Sequence, residues 1–238
     1  MNTRRNGTQE GSTNWIGGTM HEIGDVLNLP HNKQKASENW ISLMSRRNHE
    51  YNKNQENVHL TKASAVTLNN NQVFNELKAF NYYTEIPTHK IKSLRIFVDN
   101  TNLYINSKFD ASIEINDVNI YNDPKTSSND GNYNSISWAA TTIINNDSIS
   151  LVMPLSDINE DYKAYPFELK LLFCHINGNS SYQNFQYQFI NNKPDIDLNV
   201  FEVLEIDKSD WPVHNFSSEE TIGEGANNGH AIQAADNN

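Results

Sequence analysis

The sequence predicts an α+β chain in which a mainly helical N-terminal part precedes an antiparallel, immunoglobulin-like β-sandwich. Three observations carry this expectation. Ile16, Met20, Ile23 and Leu27 recur at helical spacing, the step that stacks side chains on one helix face. Near residue 88 the pattern changes to alternation, clearest in Phe167, Leu169, Leu171 and Phe173, as in a strand with one buried face. Clusters such as Asp99-Asn100-Thr101-Asn102, Asn145-Asn146-Asp147 and Asn177-Gly178-Asn179 punctuate this part. They are rich in residues that favour turns, and they divide it into about seven short strands.

In chain order, residues 1–12 read as a polar, flexible arm, and Ser12 or Thr13 is placed to cap the first helix. Residues 13–85 form the helical part. Within it, Asn32 to Asn39 reads as a loop and Trp40-Ile41-Ser42-Leu43-Met44-Ser45 as an apolar patch. Leu60 to Phe74 reads as a second helix, capped by Thr61, with Ala65, Leu68, Val73 and Phe74 as its apolar positions. Residues 88–206 form the sandwich. Its strands are marked by Leu94/Ile96/Val98, Ile113/Ile115, Val118/Ile120, Ile136/Trp138 and Ile149/Leu151/Met153, then by the Phe167 run, Phe185/Tyr187/Phe189 and Ile196/Leu198/Val200. Trp138 is the candidate central aromatic. Tyr121, Tyr133 and Tyr165 read as surface aromatics able to stack on a sugar ring or, more plainly, as strand residues. Residues 207–238 lose the pattern and read as a mostly disordered tail.

Charge narrows the partners. Asp and Glu number 29 against 18 Lys and Arg, a net charge of -11, with an isoelectric point near 5.1. Such a chain repels nucleic acid and anionic membranes. Hydrophobic content of 37% and mean hydropathy of -0.69 allow only modest cores. No apolar run approaches the ~20 residues of a membrane span. The polar start, Met1-Asn2-Thr3-Arg4-Arg5, carries no visible signal peptide. The single cysteine, Cys174, lies in a strand pattern and is expected to be buried. Oligomeric state is not legible in the sequence.

Chemistry concentrates in residues 21–31, whose spacing is H-E-x-x-D-x-x-N-x-x-H. His21 and Asp25 are four apart, so one helix face presents both to a common point. Glu22 lies about 100° round the helix from His21, beside that point. The chain must then turn for His31 to return. Asn28 is the residue to make that turn, since asparagine tolerates positive φ better than other non-glycine residues. Pro30 stops the helix from continuing. A carboxylate binds zinc at about 2.0–2.2 Å, so Asp25 is chemically admissible as a ligand. It also brings a negative charge that makes the ion a weaker Lewis acid.

The motif resembles the zinc-binding helix of the metzincin metallopeptidases, H-E-x-x-H-x-x-G-x-x-H. His21, Glu22 and His31 match it; Asp25 replaces the second histidine and Asn28 the glycine. Leu29-Pro30-His31-Asn32 comes next, as in active members of that group. Met44, in its Ser-Leu-Met context, is similar to the methionine of the turn beneath the zinc, where its role is packing. The resemblance covers about residues 13–80, the C-terminal half of such a catalytic domain, so the helical part reads as a truncated metzincin-like half-domain. It implies zinc held by His21, Asp25 and His31, with Glu22 as general base. It implies a peptide or protein substrate, and an extracellular location. The degenerate motif and the missing half imply weakened or absent hydrolysis. The alternative is a non-catalytic binding module in which the sandwich recognises protein or glycan.

Overall fold

A computed structural model describes residues 5–52, 55–75, 82–127, 131–142 and 147–201. The expected tail, 207–238, lies outside the described residues. Helix α1 spans Arg5–Val26. It therefore begins well before the Ser12 or Thr13 cap that the sequence favoured. A short parallel pair comes after it, β1 (Ile41–Ser42) with β2 (Val58–His59). Helix α2, Lys62–Asn69, starts at Thr61 as expected, whose side chain accepts a hydrogen bond from the Ser64 amide. The expected apolar ends Val73 and Phe74 lie past this helix and stay exposed.

The remaining strands are β3 (His89–Val98), β4 (Asn102–Ala111), β5 (Ile115–Pro124), β6 (Ile136–Thr141) and β7 (Ser148–Pro154). They continue with β8 (Phe167–His175), β9 (Ser180–Tyr187), β10 (Phe189–Ile190), β11 (Lys193–Pro194) and β12 (Leu198–Phe201). Two four-stranded sheets result, ordered β12-β3-β4-β7 and β6-β5-β8-β9. All pairings within them are antiparallel. One apolar core joins the sheets. Leu94, Ile96, Leu103, Ile105 and Phe109 come from one; Val118, Ile120, Leu169, Leu171 and Phe173 come from the other. Trp138 and Cys174 are buried as expected.

Two features differ from the sequence reading for physical reasons. Ile113/Ile115 and Val118/Ile120 do not mark separate strands. Ile115 and Val118 lie on the single strand β5, where a register shift between Ile115 and Asp117 changes which parity faces the core. Strand β4 escaped notice because Ser107 interrupts its apolar row; Ser107 is buried and donates to the Ser93 carbonyl.

The larger correction concerns α1. Its apolar stripe was expected to be buried, yet Ile16, Met20 and Ile23 are exposed, as are Trp15 and Val26 at 78% and 82%. The helix buries its small face instead, through Gly17, His21 and Gly24. A Cβ at Gly17 would overlap the Asn48 carbonyl oxygen, and one at Gly24 would stand 2.5 Å from Met44 Sδ. Close approach to residues 48–52 and Met44 therefore decides the rotation of α1. A Cβ at Gly18 would meet nothing within 4 Å.

This contrast between adjacent glycines is testable. Gly17→Ala forces overlap in a packed contact and should cost about 1–3 kcal/mol. Gly18→Ala gains helix propensity in open space and should add up to about 1 kcal/mol. Thermal denaturation of the two variants should move the midpoint in opposite directions.

A second expectation concerns pH. His175 is buried, its Nδ1–H donating to the Ile113 carbonyl at 2.8 Å and its Nε2 accepting from Ser181 Oγ at 2.8 Å. Burial holds its pKa below the usual histidine value. A depressed histidine contributes stability above its unfolded pKa of about 6.5 and loses it as pH falls through the folded value. Urea unfolding at pH 7, 6 and 5 should therefore show declining stability, with a shallower decline in His175→Gln.

Candidate metal centre

The end of α1 builds the site. Asn28 adopts φ 60. The Leu29 amide donates to the Gly24 carbonyl at 3.0 Å and the Asn28 amide to the Asp25 carbonyl at 3.0 Å. This six-to-one and five-to-two pair is the Schellman ending. Leu29 is buried, and its Cδ1 closes over Gly24. The helix thus stops one residue beyond Asp25, at Val26, and the chain doubles back, as the spacing required.

The residue after His31 then fixes it in place. Asn32 is fully buried: its Nδ2 donates to the Pro30 carbonyl at 3.0 Å and to Ser64 Oγ at 2.9 Å, and its Oδ1 accepts from Ser42 Oγ at 2.7 Å. Its amide donates to the Met44 carbonyl at 3.2 Å. One residue therefore ties the returning chain to α2 and to the 42–44 segment. The Lys33 amide donates to the Ser135 carbonyl at 2.7 Å, attaching the same stretch to the start of β6.

The three predicted ligands converge. His21, Asp25 and His31 each offer one donor atom, and these lie within 4.8 Å of one another. His21 Nε2 is 3.7 Å from Asp25 Oδ2, and His31 Nε2 is 3.2 Å from Asp25 Oδ1. A tetrahedral ion with bonds of ~2.0–2.2 Å needs donors ~3.3–3.6 Å apart; the two nitrogen–oxygen separations, each to a different oxygen of Asp25, bracket that range, and the set as a whole lies within 4.8 Å.

The tautomers are set by the partners. His21 Nδ1 is 2.9 Å from the Leu43 carbonyl, and His31 Nδ1 is 2.7 Å from the Gly131 carbonyl. A carbonyl only accepts, so each Nδ1 carries the proton and donates it. The Nε2 lone pairs are left facing inward. His31 Nε2 is buried and makes no hydrogen bond among the described residues. Two lone-pair acceptors at 3.2 Å repel unless a cation lies between them. An orphaned buried acceptor costs about 1–3 kcal/mol. A divalent ion shared by three donors removes that cost at once, whereas a proton serves one pair. The donor set, two neutral imidazoles and a carboxylate, thus fits a divalent transition metal.

The neighbours are informative. His21 is buried, while Asp25 and His31 keep partial access to solvent, which leaves the centre open on one side. Glu22 is exposed next to it on α1. Met44 is fully buried beneath Gly24. Tyr133 stacks on His31 with ring centroids 3.9 Å apart, and Arg46 lies over the same phenol at 5.1 Å. Burial raises the Tyr133 pKa, Asp25 adds to the rise, Arg46 opposes it, and Glu22 adds further. Tyr121, grouped with the surface aromatics, is buried. His59 packs edge-on against Trp40.

Sequence reasoning missed Asn32 as a buried hub, and Gly131 and Tyr133 as members of the site. Their signal was local only: Asp130-Gly131 reads as a turn, and nothing in a linear pattern places it 100 residues away beside His31. A polar cavity of about 230 Å³, lined by Leu27, Asn28, Thr67, Asn70, Cys174 and Asn179, contains none of the three candidate ligands.

No family model matches the chain, and no curated protein matches it. Solved structures do. Wild-type OgpA from Akkermansia muciniphila, in space group P 41 21 2, aligns with a TM-score of 0.68 at 22% identity, covering 79% of this chain and 52% of that one. A second form, in P 21 21 21, gives 0.66 at 22% identity, covering 79% and 51%. Catalytically inactive OgpA in complex with an O-glycopeptide (glycodrosocin) substrate gives 0.68 at 20% identity, covering 80% and 52%. The chain spans about half the length of OgpA and shares its fold over that half.

Proposed function

We propose that this chain carries the metal centre of a metzincin-like zinc peptidase, its helical part (13–85) followed by an immunoglobulin-like sandwich (88–206). The convergence of His21, Asp25 and His31, with both Nδ1 atoms already committed, is the observation that carries this reading. A bound zinc ion supplies Lewis acidity toward water and a peptide carbonyl. The chain's own residues do the rest. The Leu43 and Gly131 carbonyls hold the imidazoles in the ligating tautomer. Glu22, exposed beside the centre, accepts a proton from the attacking water and delivers it to the departing amine. Met44 packs beneath the helix, as in a methionine turn.

Asp25 would lower the net charge of a zinc-loaded centre by one relative to three imidazoles, so the ion would acidify water less and hydrolysis would be weak. The exposed stripe Ile16, Met20 and Ile23 is, in this reading, the face that meets the other half of a catalytic domain. The strand order supports the immunoglobulin-like assignment. The first, second and fifth long strands share one sheet, and the third, fourth, sixth and seventh share the other. The fold shared with a protein that takes an O-glycopeptide substrate supports a peptide as substrate here. A location outside the cell is what the metzincin resemblance implies. No described helix is long and apolar enough to cross a membrane.

Metal content tests the proposal. The full chain, dialysed against zinc and measured by atomic emission, should retain one equivalent. Asp25→Ala, His21→Ala and His31→Ala should each weaken zinc binding by about a hundredfold or more. A chain that takes up no zinc defeats the reading. Glu22→Ala should keep the metal while cutting hydrolysis of a peptide library by about 10²–10⁴-fold.

A further inference from the structure

The third candidate ligand is held by the sandwich as well as by the helix that precedes it. His31 donates through Nδ1 to the Gly131 carbonyl at 2.7 Å. Its ring lies nearly parallel to Tyr133, 16° between planes and 3.9 Å between centroids. Both partners come from the connection between β5 and β6. The same connection is registered against the chain just past His31, through the Lys33 amide to the Ser135 carbonyl and the parallel bridge of Lys33 with Ile136. Backbone and side chain of the 31–33 stretch are therefore both aligned to residues 131–136.

The connection is shaped for this contact. Gly131 and Asn132 take φ 64 and 60, a left-handed pair that turns the Gly131 carbonyl toward the imidazole. A Cβ on Gly131 would stand 2.9 Å from the Tyr133 ring and 3.9 Å from His31 Nδ1. Only glycine lets the phenol fold back over its own loop onto the histidine. Tyr133 is not free to stack on a sugar. His31 takes one face at 3.9 Å, which leaves Arg46 the other at 5.1 Å. His21 lies beside His31 with its ring within 17° of parallel, its centroid 5.1 Å from His31 and 5.9 Å from Tyr133.

We propose that Gly131 and Tyr133 are positioning residues for His31, so that the sandwich completes the metal centre. The carbonyl fixes the proton on Nδ1. The phenol ring fixes the imidazole plane, which aims Nε2 at the point shared with His21 and Asp25. The phenol hydroxyl has no part in this; the ring face does the positioning. The inference rests on the metal-centre reading above, but the orientation it describes exists before metal binds.

Two readouts separate the inference from that reading. The first is ¹⁵N–¹H correlation of the histidine rings in the metal-free full chain. His31 should show the Nδ1–H tautomer in wild type and in Tyr133→Phe, and a mixture in Tyr133→Leu and Gly131→Ala. An Nε2–H tautomer in wild type, or no change in either disruptive variant, overturns the inference. The second is the affinity for zinc and the ligand-field spectrum of the cobalt-substituted protein. Tyr133→Phe should stay within about threefold of wild type, and Tyr133→Leu should bind about 10–100-fold more weakly with an altered spectrum. Zinc affinity unchanged in Tyr133→Leu, despite a lowered melting temperature, would make Tyr133 mere packing and overturn the proposal. Loss of affinity in Tyr133→Phe would assign the effect to the hydroxyl and overturn it too. If wild type binds no zinc, the peptidase reading falls, and the tautomer of His31 alone decides this one.

Discussion

Two imidazoles whose Nδ1 protons are committed to main-chain carbonyls set the terms for the rest of this molecule. With Nδ1–H of each ring donating to the Leu43 or Gly131 carbonyl, the other nitrogens of the neutral imidazoles are acceptors. They are turned toward a carboxylate that also only accepts. The Nε2 of His31, buried with no hydrogen bond among the described residues and 3.2 Å from an Asp25 oxygen, is the clearest sign of an environment arranged for a cation. Buried acceptors are rarely left unpaired, because the loss of hydration is not returned. The local hydrogen bonds do not relieve this arrangement; they create it. That is why the geometry favours a metal over a plain histidine–aspartate ion pair, in which one proton would satisfy one nitrogen.

Bringing the donors together requires compactness that large side chains would forbid. Gly17 and Gly24 let α1 lie against residues 48–52 and Met44, and this contact turns His21 inward at the same time. The apolar stripe is rotated out as a consequence. Hydrophobic burial at a few kcal/mol per large side chain would normally decide such a rotation. Here the close approach of backbone, the buried His21 and the Asn32 hub outweigh it. The Schellman ending then limits the helix so that six residues suffice to return from Asp25 to His31.

The sequence disclosed whatever depended on local spacing. The i, i+4 pair, the turn at Asn28, the Thr61 cap and the alternation of Phe167, Leu169, Leu171 and Phe173 are all consequences of backbone periodicity, and each can be read from neighbouring letters. Four things could not. The face that α1 buries depends on which partner it meets, and a row of glycines does not announce its partner. The β5 bulge changes parity within a strand, so one strand looks like two. The contribution of Gly131 and Tyr133 depends on a contact spanning 100 residues, for which a linear motif has no term. Asn32 lay in plain view beside His31, but its role as a hub requires Ser42 and Ser64 to be near, which is again tertiary information.

These limits bear on how a degenerate motif should be weighed. Replacing a histidine by Asp25 changes the charge of the donor set and the reach of one ligand, but Asp25 sits 3.2 and 3.7 Å from the two imidazoles. The shorter side chain therefore still spans the gap, because its carboxylate faces both nitrogens at once. What the substitution alters is electrostatic. A centre with one anionic ligand holds a divalent ion by attraction as well as by coordination, and in doing so it reduces the positive charge left to polarise water. In the proposed centre, retained binding and diminished catalysis would be two results of the same charge. On the proposed reading, a departure from the motif that looks like simple decay in the letters would be, in three dimensions, a shift in balance between holding the ion and using it.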